Sequence, residues 1–364
     1  MALYLLLVAL SGADDPIASK SLPKLFKAVD LTVEAKPVGQ FLKSFAEEHG
    51  VQIVVDGRVD GAATVRGRFK RSFVERILND AARFANARMT VIGEIVYVGP
   101  QENADRAAAA AFHSRKSIPT GEGAAVWKEK RSLKWTNDAT VQTLVAGLAK
   151  DLGVEVKNAE ELDVKATAGS LNNVTAGDML SVFAALADQT WTIDDKGVVV
   201  ISPLPEDARL ERRLRAPSAK EATRRAIAYE GLSEAALDVE AKGAAIVLKG
   251  PFSALWAAER LDREEALSGA KGQKTGKSKS TAKRYTVNFK NVTLGDFAKK
   301  IADHVKMSVE IDDESIAKTG KSREDRLNCV ASGVELDELL ALALEPIGLA
   351  ARIDGTKIVI VAGK

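Results

Sequence analysis

Cysteine is all but missing from this sequence: Cys329 stands alone. No internal disulfide can form, and no cysteine-based metal site. Histidine is nearly as scarce, limited to His49, His113 and His304, and no HExxH or comparable paired spacing accompanies them. Aromatic residues make up 5% of the chain, thin for a sugar-binding cleft or a base-stacking surface. Neither sign of charge is in excess, since 52 Lys and Arg oppose 50 Asp and Glu. That balance argues against a dedicated nucleic-acid binder unless charge is locally segregated.

What is present is globular composition: 364 residues, 46% hydrophobic and 28% charged. The length suggests two to four domains. The chain opens "MALYLLLVALSGADD", in which Ala2 to Leu10 is an unbroken apolar run of nine. A membrane-spanning helix needs about 20 residues, so this run is too short to cross. It suits the core of a secretory signal, and Ser11 and Ala13 are spaced like the small residues before a cleavage site. The usual basic residues ahead of it are missing. Residues 1–20 therefore read as a signal peptide, which would place the chain in the periplasm or otherwise outside the cytoplasm. The other reading, a first strand or buried segment, would leave it cytoplasmic.

One sentence is written three times. In "LTVEAKPVGQFLKSFAEEHGVQIVVD", residues Leu31 to Lys36 alternate like a half-buried strand. Val38, Phe41, Leu42, Phe45 and His49 then recur at helical spacing. Gly50 supplies the stop, and Val51, Ile53 and Val55 form a second strand. A third strand over 63–70, a helix over 73–84 and a hairpin turning at Gly93-Glu94 complete the unit. The same grammar recurs from Leu133 and from Tyr285. The helix stripe Phe41, Phe45, His49 becomes Leu144, Leu148, Leu152 and then Phe297, Ile301, Val305. The closing strands read "VIGEIVYVGP", "TIDDKGVVVISP" and "RIDGTKIVIVAG". The expected class is α+β: three tandem two-layer modules of β-α-β-β-α-β-β type over 25–100, 131–203 and 284–363. Each is expected to take its interior from its own two helices.

Residues 205–267 differ. A helical start, "SAKEATRRAIAY", precedes strands "ALDVEA" and "AAIVLKG" and a helix "SALWAAERLDREEAL", which makes an α-β-β-α unit. Two stretches read as linkers: 101–130, with a short Ala run that suits a helix and then Pro119, Gly121 and Gly123, and the Gly/Ser/Lys-rich 268–283.

The three copies resemble the short N-terminal domain of secretins and TonB-dependent receptors. The α-β-β-α segment, less strongly, is similar to the small ring modules of the secretin periplasmic region. The resemblance implies a periplasmic, non-catalytic module that contacts substrates or partner proteins. Secretins and receptors continue into an outer-membrane barrel of alternating strands; this sequence stops at Lys364, so pore formation by this chain is not expected.

No motif for chemistry survives inspection. "GQKTGKS" (272–278) has three residues between its glycines where a phosphate-binding loop needs four, and no apolar strand leads into it. Asp194-Asp195 and Asp312-Asp313 suit turns. Trp127, Trp135, Trp191 and Trp256 are scattered one per element and suit cores. No cofactor, metal or small-molecule substrate is expected, and the chain does not read as an enzyme. The contact candidates are the basic residues Lys271, Lys274, Lys277, Lys279, Lys283 and Arg284, which could meet an anionic surface, and the strand-edge positions Thr286 and Asn288. The expected partners are other envelope proteins or further copies of this chain, with a secretion or pilus-type system as the setting and membrane contact peripheral if any. Two rivals stand beside this: an enzyme with a site formed between modules, and a binder of nucleic acid or another anionic polymer through the basic linker.

Overall fold

The alternation around Leu31 forms a strand and the stripe behind it forms a helix in the computed structural model of the chain, which describes residues 22–214, 238–242, 245–257, 260 and 285–363. After a short helix α1 (Leu22–Leu25), the first copy runs β1 (Ala28–Pro37), α2 (Val38–Glu48), β2 (Gln52–Val55), β3 (Thr64–Phe73), α3 (Val74–Phe84), β4 (Ala87–Ile92) and β5 (Ile95–Pro100). Helices α4 (Gln101–Lys116) and α5 (Ala125–Lys128) follow. The second copy is β6 (Lys130–Trp135), α6 (Val141–Leu152), β7 (Val156–Lys157), β8 (Gly169–Thr175), α7 (Ala176–Leu186), β9 (Gln189–Ile193) and β10 (Val199–Pro203). Then come β11 (Leu210–Leu214), β12 (Asp238–Lys242) and β13 (Ala245–Gly250), paired in the order β11-β13-β12. The third copy is β14 (Tyr285–Thr293), α8 (Leu294–Val305), β15 (Ser308–Ile311), α9 (Asp313–Ala317), β16 (Arg326–Val334), α10 (Leu336–Leu344), β17 (Leu349–Asp354) and β18 (Lys357–Ala362). The class is α+β, as expected. The hairpin β12–β13 falls where the sequence places it. The strand β11 does not follow from the pattern, and the opening helix expected there lies outside the described residues.

The three copies share one topology. First and third strands pair antiparallel in each, as β1/β3, β6/β8 and β14/β16. Second and last strands pair parallel, as β2/β5, β7/β10 and β15/β18. The last two strands form a hairpin in every copy. The first helical amide donates in each copy to a carbonyl of the segment leading into the third strand: Val38 to Ala63 O (2.7 Å), Val141 to Val164 O (2.8 Å) and Leu294 to Asp325 O (2.8 Å). Left-handed backbone recurs at matching places as well. It follows the first helix at Gly50, Gly153 and Lys306, follows the second at Asn86, Asp188 and Gly348, and turns the hairpin at Gly93, Gly197 and Gly355. Such positions favour glycine, asparagine or aspartate, so the chain repeats its geometry where it does not repeat its identities.

The described residues divide into two compact units. The first unit draws on the stretches Leu42–Gly61 and Ala85–Gly276. Within it, β4 is buried throughout and β5 nearly so. Strands covered on both faces read as near-continuous apolar runs, which is the pattern of "MTVIGEIVYV". Ile92, Ile95 and Tyr97 share a hydrophobic cluster with Trp135, Phe183 and Trp191 of the second copy. The second copy therefore does not enclose a private interior, contrary to expectation. Trp127 stacks on Trp191 with ring centroids 5.3 Å apart, and Trp135 meets Phe183 edge-on at 5.4 Å. Residues 101–116, within the stretch read as a linker, form α4, whose Ala104, Ala107 and Ala111 enter the same cluster. Alanine lets the helix approach closely while losing no rotamer freedom.

The second unit draws on Lys27–Phe41, Ala62–Phe84 and Lys277–Lys364. The first copy is thus divided between the two units, a second departure from expectation. The third copy does carry its own cluster, including Phe297, Ile301, Leu340, Ile358 and Ile360. Its β16 pairs in parallel with β3, giving one sheet in the order β1-β3-β16-β14. The junction aligns Gly67 with Val330, Arg68 with Ala331 and Phe69 with Ser332. A Cβ on Gly67 would stand 2.9 Å from the Val330 carbonyl oxygen and 3.2 Å from the Phe69 ring. The glycine is there because two backbones close on it. Among the described residues, no helix is long and apolar enough to cross a membrane.

Gly67→Val should lower the stability of this unit by about 2 kcal/mol, because overpacking a closed position costs that order. Thermal unfolding of the full chain measures it; an unchanged midpoint would mean that the strands do not meet at Gly67.

Candidate functional site

The working features of the fold are its sheet edges and the polar groups that lock them. In the second unit, period-two geometry sends Val65 and Phe69 to one face of β3, where both are fully buried. Arg66, Arg68 and Lys70 occupy the other. Arg68 Nη1 donates to Glu338 Oε1 at 2.5 Å and Lys70 Nζ to Glu338 Oε2 at 2.7 Å, so α10 lies on the basic face of the sheet. Burial pushes the Glu338 carboxyl up, but the hydrogen bonds from Lys70 and Arg68 pull it down further, and it ends below its ordinary range. Lys290 of β14 donates to the Arg83 carbonyl at the end of α3 at 2.6 Å. Burial lowers the Lys290 ammonium. The outer strands of this sheet are β1 and β14, and among the described residues neither has a strand on its far side.

In the first unit, the residue after the second strand is Asx in each repeat: Asp56, Asn158 and, in the other unit, Asp312. In the first copy it has become the centre of a polar clamp. Asp56 is 3% exposed. It accepts from Arg58 Nε (3.0 Å), Arg58 Nη2 (2.7 Å) and the Tyr97 hydroxyl (2.7 Å). Arg58 also donates to both carboxylate oxygens of Asp188, and Asn103 donates to one of them. The bonds to Asp56, acting against burial, raise the Arg58 guanidinium above its ordinary value. Burial pushes the Tyr97 hydroxyl well above its usual range, with the Asp56 charge adding to it. A cavity of about 430 Å³ opens beside the clamp, lined also by Asn137, Lys165 and Thr167. Its acids and its arginine are already spent on one another, so the arrangement fastens chain segments together. A smaller lock joins α4 to residues 252–257: Asp105 accepts from Arg88 Nη1 (2.7 Å), Ser253 N (2.8 Å) and Ser253 Oγ (2.8 Å).

The sequence candidates land in different places. Lys271, Lys274, Lys277, Lys279, Lys283 and Arg284 lie outside the described residues, as does "GQKTGKS". Thr286 and Asn288 belong to the outer strand β14, where Asn288 aligns with Val330. Cys329 is buried in β16, and burial pushes its thiol up to about 12. Asp194 closes its own turn on the amides of Lys196 and Val198, and Asp312 caps α9 through Ser315. All four tryptophans are buried. No group of acids, histidines or cysteines that could hold a metal occurs among the described residues. Sequence reasoning missed Gly67 and the Arg66-Arg68-Lys70 alternation. A glycine inside a strand pattern, and basic residues two apart, were the available signals.

No family model matches the chain, and no curated protein does. Among solved structures, it is distantly similar to the N-terminal domain of the secretin XcpQ from Pseudomonas aeruginosa. The identity is 11% and the TM-score 0.17, over 66% of this chain and 98% of that one.

Because Glu338 is held below its ordinary range, its contribution is present at neutral pH and is lost as pH falls through the folded-state value. Thermal stability should drop on acidification through the carboxylate range, and Glu338→Gln should flatten that part of the profile; equal profiles would exclude the ion pairs from the joint. Arg58→Met should cost about 1–2 kcal/mol in chemical denaturation, since Asp56 loses its charged donors, and no loss would show that the clamp is idle.

Proposed function

We propose that this chain is a non-catalytic component of a bacterial cell envelope, of secretin N-domain type, that mediates protein–protein association and assembly. The observation that supports this most is the β3–β16 junction. Two copies of one repeated module couple in it through strand backbones, by third strands that would otherwise be sheet edges. A module that joins its sibling in this way presents a surface suited to joining another protein likewise, because an added strand gains main-chain hydrogen bonds and alternating side-chain contacts. The outer strand β14, with Thr286 and Asn288, is the proposed contact. The sequence features supporting export are Ala2 to Leu10 with Ser11 and Ala13.

Photo-crosslinking residues placed at Thr286 and Asn288 in the native host should trap a protein partner or a second copy. The same positions changed to lysine should weaken its co-purification. Fractionation should find the chain outside the cytoplasm with a mature start near Asp14. A cytoplasmic chain that forms no adducts at either position would overturn the reading.

A further inference from the structure

The basic face of β3 is built differently from its counterparts. Arg66, Arg68 and Lys70 stand two residues apart, which spaces them by about 7 Å along the strand. Arg71 should point to the opposite face from Lys70. Instead, both line one groove of about 460 Å³ between β1, β3 and α10, together with Thr32 and Glu338. The cause is a bulge: Arg71 sits in left-handed backbone at φ 49°, and its amide donates to Asp30 Oδ1 at 2.6 Å. The second copy has the same bulge with Asn173 at φ 58°, a residue that tolerates this conformation. An arginine there is strained, and bulges and strained residues concentrate where a side chain is re-aimed for use. Arg66 and Arg71 are exposed. Arg68 and Lys70 remain 41% and 43% exposed although Glu338 binds both.

We propose that the paired strands β1 and β3 bind an extended, acidic segment of a partner protein through Arg66, Arg68, Lys70 and Arg71. This rests on the reading of the chain as a protein-association component, and it names the chemistry of the partner. An extended segment places alternate side chains at the spacing of these cations. The neighbouring edge of β1 supplies backbone groups for strand addition. A nucleic acid fits less well. Thr32 stands opposite Arg68 on this face, and the aromatic ring at the groove, Phe69, is fully buried and so offers no platform for base stacking. Glu338 acts as a built-in competitor, holding Arg68 and Lys70 as the incoming carboxylates would.

The test is fluorescence anisotropy on the full chain with a labelled synthetic peptide of alternating threonine and glutamate. An alternating threonine–lysine peptide and a thymidine oligonucleotide serve as the other arms. The glutamate peptide should bind, and the lysine peptide should not. The double variant Arg66→Ala, Arg71→Asn should bind about tenfold more weakly, since charge-assisted bonds are lost. Asn keeps the left-handed turn, as in the second copy, so folding is preserved. Glu338→Gln should tighten binding, an effect that a merely destabilising change would not produce. Absence of peptide binding, affinity indifferent to these substitutions, or an oligonucleotide that binds better through the same residues would overturn the proposal. If the peptide fails while crosslinks at β14 persist, this inference falls and the association reading stands.

Discussion

Parallel pairing of β3 with β16 is the constraint on which the second unit depends. Each of these strands closes a two-stranded ladder within its own module, and a lone hairpin is marginally stable in water. Joined, they become the centre of a four-stranded sheet, and the exposed edges retreat to β1 and β14. The contact needs a residue without a side chain at Gly67, because the Val330 carbonyl comes too near for anything larger. It also needs the far face to be polar yet neutralised, which Glu338 achieves by holding Arg68 and Lys70 together. Geometry and charge thus select the same register.

The first unit uses a different device for the same problem. There β4 and β5 of the sheet β2-β5-β4 are covered on both faces, and α4 packs against β4, β9 and α7. A row of alanines suits that position, since larger side chains would hold the helix away from its neighbours. The buried charges at this unit's two locks are paired. Asp56, Arg58 and Asp188 satisfy one another, and Asp105 collects three donors. A repeated module has acquired two unlike ways of covering itself, one through main-chain pairing and one through a helix with a hydrophobic seam.

The repeats were legible because periodicity is a local property. Phe41, Phe45 and His49 declare a helix by spacing alone, and Gly50 and Gly93, read as a helix stop and a hairpin turn, sit in left-handed backbone. The partners of each module were not legible, because they are set by residues distant in the chain. Gly67 looks like an interruption of a strand until β16 is placed beside it. Asp56-Gly57 looks like an ordinary turn until Arg58 meets Asp188. The alanines of α4 give little amphipathic signal, so the stretch reads as a spacer although it is buried. Strand β11, "LERRL", is too charged and short to show a period, and only its ladder with β13 makes it a strand.

Hydrogen exchange at single-amide resolution tests the central pairing most directly. Successive amides of a strand point to opposite sides, so a strand paired on one side protects only every second one. If β3 lies between β1 and β16, the consecutive amides of Gly67, Arg68 and Phe69 should all exchange slowly. Alternating slow and fast exchange through those residues would mark β3 as an outer strand and contradict the account.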